Sequence, residues 1–260
     1  GLLGTWVYND MRMVDNPLYD GWDDVAVVFE RTSADYFRAS GEVNASASQT
    51  YRPLTMATLI ATHAASPTPL AHHLVGWVLH LLIGGALWLT LRAGAVRTTL
   101  AGGLTALFVL HPVGVEAYVW INGRSDVCAA LGVMLTALGV AMLMRGPQAA
   151  EPSVAASRPG PQPRQSLAMQ GSAVLGAGLL SFLTLAAKET SLAALGAVWL
   201  AGVLRARREG RAAVLVLPAC GAACGVGAYL TAWRAVRDGA FGSLGPGSSP
   251  LSDPDVWHFV

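Results

Sequence analysis

Charge is what this sequence has least of. Only 13% of its 260 residues are Asp, Glu, Lys or Arg, which is about half the share found in an average soluble domain. The formal net charge of +1 is too small to indicate a nucleic-acid partner. Hydrophobic residues make up 53% of the chain, and this composition favours a membrane protein over a water-soluble domain.

Cysteine is also scarce. The three cysteines, Cys128, Cys220 and Cys224, all lie in apolar segments. Cys220 and Cys224 are one helical turn apart, but no histidine or carboxylate lies near them in the sequence to complete a metal site. We therefore expect all three to be small core residues.

Long apolar segments recur along the chain at lengths that match a bilayer. A helix needs about 20 residues to cross the hydrocarbon layer. We expect spans at 72–91, 98–111, 126–144, 167–187, 190–204 and 212–233, two of which are short. The segment 52–63 is helix-like but too short to cross, so we place it in the outer interface with Pro53 in its first turn. The fold class predicted is an all-α, polytopic helical membrane protein.

The arginines indicate which loops face the cytoplasm. They cluster at 92–97, 145–164 and 205–211, and by the positive-inside rule these loops are cytoplasmic. The loops predicted on the other side hold nearly all of the carboxylates. The first of them, 8–71, mixes carboxylates with aromatic residues at helical spacing, so we expect it to be folded.

Two further segments are interpreted by composition. Residues 146–165 are rich in Pro, Ala, Ser and Gln and read as a flexible cytoplasmic linker. We interpret 1–233 as one transmembrane region, and 234–260 as an outer loop that leads into a further span beyond this sequence.

Polar residues between the spans form four clusters on the predicted outer side, at 8–10, 51–54, 111–126 and 188–189. A carboxylate there can act as a general base, and Arg or Lys can hold a phosphate. The alternative is structural, with Glu116 paired to Arg124 and Lys188 paired to Glu189 at the interface.

The histidines leave two interpretations open. His73 and His80 are two helical turns apart, and His72 and His111 lie in or beside the same predicted spans. With Glu116 they could ligate a metal ion, or they could make structural hydrogen bonds.

Seven motifs in chain order carry a resemblance to a known family. They are Val7-Tyr8-Asn9-Asp10, Val14-Asp15-Asn16-Pro17, Tyr51-Arg52-Pro53-Leu54, His73-Leu74-Val75 with His80, His111-Pro112-Val113 with Glu116, Trp120 to Asp126, and Lys188-Glu189. Together they resemble the transmembrane region of the TMTC-type O-mannosyltransferases, which act on cadherins, and of their bacterial relatives.

The resemblance implies a class C glycosyltransferase. Such an enzyme transfers a sugar, with mannose as the candidate here, from a polyprenyl-phosphate carrier to a hydroxyl group of a protein or glycan acceptor. It works on the periplasmic face of a bacterial inner membrane or the luminal face of the endoplasmic reticulum. The lipid-linked sugar is the donor, no cofactor is assigned, and a divalent metal ion remains an open possibility.

We interpret residues 1–7 as the last turns of a first span, and the resemblance assigns the general base to Asp10, just after it. Asn9 stands where the family more often has a first acidic residue, and Gly76 where it tends to have asparagine. For the leaving phosphate, the charge of the side chains suggests Arg52, Arg124 and Lys188. The candidates for contacts with the sugar or acceptor are Glu116, Asp126, Trp120, His73, His111 and Glu189.

Two other classes of function compete with the enzyme. A non-catalytic membrane scaffold, or a protein that only binds the lipid carrier, would use the outer loop to bind a partner, and Asn9 favours this alternative. A transporter would place ionisable residues in mid-membrane, whereas the predicted spans keep their charges at the ends.

Overall fold

The computed structural model describes residues 16, 21–32, 35–36, 50–112, 114–145 and 167–237. Within these ranges 85% of the residues are helical and none is in a strand. The all-α prediction is therefore confirmed. Asp10, the linker 146–165 and the segment 238–260 lie outside the described residues.

The described ranges contain the following helices, numbered in chain order. They are α1 Asp24–Val27, α2 Pro53–Ala65, α3 Pro69–Ala93, α4 Thr98–Leu110, α5 Gly114–Val119, α6 Arg124–Arg145, α7 Leu167–Ala187, α8 Ser191–Arg208 and α9 Ala213–Arg237. Each predicted span matches one of the helices α3, α4 and α6 to α9 to within a few residues.

Four of these helices are long and apolar enough to cross a membrane. They are α3, α6, residues Gln170–Ala187 of α7, and α9. Helix α4 is apolar but has only 13 residues, and α8 carries Arg205, Arg207 and Arg208 in its last turn. The membrane assignment thus rests on four helices, and crossing by α4 and α8 remains a prediction.

Helix α6 lies at the centre of the bundle and packs against α3, α7 and α8. It runs parallel to α3, since Arg124 bonds His72 at one end and Arg145 bonds the Arg92 carbonyl at the other. It runs antiparallel to α7, with Asp126 against Lys188 at the start of α6. Every loop between the long helices therefore lies at one of two ends of the bundle.

Helices α7 and α9 run parallel and make the most extensive helix contact. Gly221 and Gly225 of α9 face Val174 and Gly178 of α7, and a Cβ on either α9 glycine would overlap a backbone carbonyl of α7. This is the G-x-x-x-G spacing that lets membrane helices pack closely without large side chains between them.

Helix α2 lies across one end of the bundle. It begins with Pro53 in its first turn, as predicted, because proline's fixed φ suits a position that needs no backbone donor. Its apolar residues pack with Val28 and Tyr36 of the first predicted outer loop, and Asn16 donates to the Tyr36 carbonyl at 2.7 Å. The described part of that loop is therefore folded.

The core prediction for the cysteines holds for only one of them. Cys128 on α6 is buried, whereas Cys220 and Cys224 on α9 are exposed. The prediction is wrong for these two because the face of α9 that packs on α7 is formed by the glycines, which turns the cysteines outward.

Candidate functional site

The turn between α7 and α8 carries the two charged residues at the centre of the candidate site. Lys188, the single lysine of the sequence, pairs with Asp126 at the start of α6. Glu189 pairs with Arg52, the residue before α2. The expected pairing of Lys188 with Glu189 is therefore wrong, because their side chains reach two different helices.

The Arg52–Glu189 pair is bidentate. Arg52 Nε donates to Glu189 Oε2 at 3.0 Å and Nη2 donates to Oε1 at 2.8 Å. This hydrogen bonding raises the pKa of Arg52. Burial alone would raise the pKa of Glu189, but the hydrogen bond from Arg52 and other favourable contacts outweigh it, and the pKa is lowered.

The lowered pKa of Glu189 gives a pH-dependent contribution to stability. Because the folded-state pKa lies below the ordinary glutamate value of about 4.3, the contribution is present above that value and is lost as the pH falls through the folded-state pKa. At pH 7 we expect the free energy of unfolding of wild type to exceed that of Glu189→Gln by less than about 1 kcal/mol, because the pair is partly exposed. The melting temperature of wild type should be slightly higher accordingly. Thermal melts at pH 7 and pH 3.5 should show this gap closing, and a wider gap at pH 3.5 would contradict the assignment.

Among the described cations of this end of the bundle, Arg124 is the most buried, with 2% of its surface exposed. Its Nη1 donates to the Thr58 carbonyl at 3.2 Å and to Thr62 Oγ1 at 3.0 Å. Its Nη2 donates to the His72 carbonyl at 2.8 Å. One guanidinium group thus joins α2, α3 and α6, a structural arrangement that the phosphate-binding prediction did not anticipate.

Three threonines of α2 were missed by the sequence analysis. Thr55 donates to the Ala187 carbonyl at 2.9 Å, while Thr58 and Thr62 supply acceptors for Arg124. Their spacing of three and four residues places them on one face of the helix, and this spacing was a readable signal.

Two tyrosines next to the site donate hydrogen bonds to backbone carbonyls. Tyr229 of α9 donates to the Tyr51 carbonyl at 2.9 Å, and Tyr51 donates to the Phe29 carbonyl at 3.0 Å. Burial raises the pKa of Tyr51 to about 12, so its hydroxyl stays protonated at neutral pH. These contacts fix the chain just before Arg52. Tyr229 was not among the predicted site residues.

The remaining predicted residues lie around the same end of the bundle. Asp126 and His111 are exposed, Trp120 is half-buried, and His73 is 3% exposed near the start of α3. The side chain of Glu116 and the whole of Asp10 lie outside the described residues. The structure therefore brings together three of the four predicted clusters.

The histidines do not assemble into a metal site within the described side chains. No group of three or more His, Cys, Asp or Glu in that part of the chain is placed to hold a metal ion. His80 instead bonds the Val109 carbonyl at 3.2 Å and stacks on Phe108. The structural interpretation therefore holds for His80.

No protein-family model, curated protein or solved structure matches this chain. The resemblance noted above stays an expectation drawn from sequence motifs.

Proposed function

We propose that this protein is a membrane-embedded, inverting glycosyltransferase of class C. It would transfer a sugar, with mannose as first candidate, from a polyprenyl-phosphate carrier to a hydroxyl acceptor on the periplasmic or luminal side. The observation that supports the proposal is the position of Arg52 and Lys188. Both lie at the end of an apolar bundle, where the phosphate of a lipid-linked sugar would lie if its tail ran along the helices.

Lys188 is the best candidate for the leaving phosphate. Its side chain is 24% exposed and that of its partner Asp126 is 52% exposed, so another anion can replace the carboxylate. Arg52 is held more firmly, by two hydrogen bonds. Arg124 is buried among backbone acceptors and would act by holding α2 in place.

In the proposed reaction one residue acts on the acceptor hydroxyl and another on the leaving phosphate. Asp10 would take the proton of the acceptor hydroxyl as its oxygen attacks the anomeric carbon. The bond from that carbon to the phosphate oxygen breaks, and the negative charge that remains on polyprenyl phosphate is stabilised by Lys188.

Transfer of radiolabelled sugar in proteoliposomes tests the proposal. Wild type, Asp10→Asn and Lys188→Gln would be compared across a panel of polyprenyl-phosphate sugars. Wild type should release sugar from one donor, and Asp10→Asn should lower the rate by about 100-fold or more, because a general base contributes at least this much. Wild-type turnover by Asp10→Asn would rule out this base, and an inert wild type would contradict the enzyme.

One observation favours a second function, that of a scaffold that only binds the lipid carrier. Both candidate cations already have carboxylate partners, as expected of an interfacial structural network. Because Lys188 is the single lysine, labelling of the peptide that contains it by an amine-reactive reagent reports on its accessibility. Protection of Lys188 by polyprenyl phosphate without any sugar transfer would favour the scaffold.

A further inference from the structure

Three arginine clusters that are distant in sequence meet at the end of the bundle opposite the candidate site. Arg145 donates to the Arg92 carbonyl at 3.1 Å, which joins the ends of α6 and α3. Arg211 donates through Nη1 to the Met144 carbonyl and through Nη2 to the Leu143 carbonyl at 3.4 Å. The turn between α8 and α9 is thereby held against the end of α6.

This end, which we call the arginine end, carries a large positive charge. Its described residues are Arg92, Arg97, Arg145, Arg205, Arg207, Arg208 and Arg211, with Glu209 as their carboxylate. Three helices end here and three begin, so helix-dipole charges of about half a unit each cancel. Glu209 neutralises only part of the charge, through Arg205 at 2.8 Å and Arg211 at 3.9 Å.

The candidate-site end differs in its charge balance. Its described cations are Arg31, Arg52, Arg124, Lys188, Arg234 and Arg237, and its described carboxylates are Asp23, Asp24, Glu30, Asp35, Asp126 and Glu189. Counted over the described residues, the bundle is therefore strongly charged at one end only.

Three side chains of the arginine end are available to a partner. Arg97, Arg207 and Arg208 are exposed, and their side chains make no hydrogen bond or ion pair with the part of the chain that the structure describes. About one turn further along the helices, Leu100 and Leu204 are 56% and 49% exposed. Cationic groups thus border apolar surface, which matches a phosphate headgroup above acyl chains.

We propose that the arginine end binds the phosphate headgroups of anionic phospholipids through Arg97, Arg207 and Arg208. A basic cluster next to membrane-spanning helices attracts anionic lipid at short range. The exposed leucines favour a lipid over a soluble anion, because only a lipid also covers apolar surface. The proposal is independent of the glycosyltransferase activity.

Lipid selectivity of the full chain in nanodiscs tests the proposal. Spin-labelled phosphatidylglycerol and phosphatidylcholine report the protein-bound fraction of each lipid. Wild type should prefer phosphatidylglycerol, and Arg207→Gln with Arg208→Gln should lower this preference about fivefold or more. The matched control is Arg234→Gln with Arg237→Gln, the same change at two exposed arginines of the other end, and it should leave the preference unchanged.

Three further measurements test whether charge and a lipid ligand account for the selectivity. Arg207→Lys with Arg208→Lys keeps the charge and should retain the preference, which separates loss of charge from misfolding. Raising the salt from about 0.05 M to 0.5 M should weaken the preference, because screening shortens the range of the attraction. Equal lipid selectivity in the 207/208 and 234/237 glutamine variants would overturn the proposal. Full displacement of bound phosphatidylglycerol by millimolar inorganic phosphate at constant ionic strength would also overturn it.

Discussion

Replacing Arg124 by glutamine is expected to cost about 3–5 kcal/mol of folding free energy. The change removes the charged donor to the Thr58 carbonyl, at a partly buried contact, and to the His72 carbonyl, at a buried one. A hydrogen bond to a charged group contributes about 1.5–3 kcal/mol, and two such bonds are lost. Helix α2 should detach first, since Arg124 joins it to α3 and α6.

Denaturant unfolding in mixed micelles measures this cost. Arg234→Gln is the matched control, since Arg234 is exposed near the same end of the bundle and should change stability by less than about 0.5 kcal/mol. The stability of Arg124→Lys should lie between those of Arg124→Gln and Arg234→Gln. Lysine keeps the charge, but an ammonium group cannot reproduce the planar fork that reaches both helices. A glutamine variant as stable as the control would show that α2 is held by other contacts.

Replacing Gly225 by leucine is expected to separate α7 from α9. Its Cβ would overlap the Gly178 carbonyl, and a backbone atom in a helix cannot move aside as a flexible side chain can. Overpacking of this kind costs about 1–3 kcal/mol and occasionally more, and we expect the upper part of this range because the same contact continues at Gly221.

Gly227→Leu is the control for the glycine contact. Gly227 lies on the same helix, yet a Cβ there meets nothing within 4 Å, so leucine should point into lipid at little cost. Thermal melts in detergent followed by size-exclusion chromatography would compare the two variants. Equal melting temperatures would mean that α7 and α9 tolerate a wider separation.

The helices could be predicted from the sequence because their signals are local. Uncharged segments of about 20 residues fix the long helices, and Pro53 marks the start of α2. The spacing of Gly221 and Gly225 was also a local signal of close helix packing, and the sequence analysis did not include it.

The partners within the candidate site could not be predicted because they depend on how helices pack. Lys188 and Asp126 are 62 residues apart, and only the antiparallel contact of α6 with α7 brings them together. Arg124 has the sequence context of a loop residue, but α2 folds over it and buries it. The phosphate roles of Arg52, Arg124 and Lys188 and the base role of Asp10 therefore remain predictions.

Helix α2 also has a geometric consequence, because it is fixed at both ends. Arg52 holds its start to the α7–α8 turn, and Thr62 holds its last turns to Arg124 of α6. Ten residues at about 1.5 Å each separate these two attachment points by about 15 Å. The helix therefore acts as a rigid spacer, and its length sets the distance between the Arg52–Glu189 pair and the contact of Thr62 with Arg124.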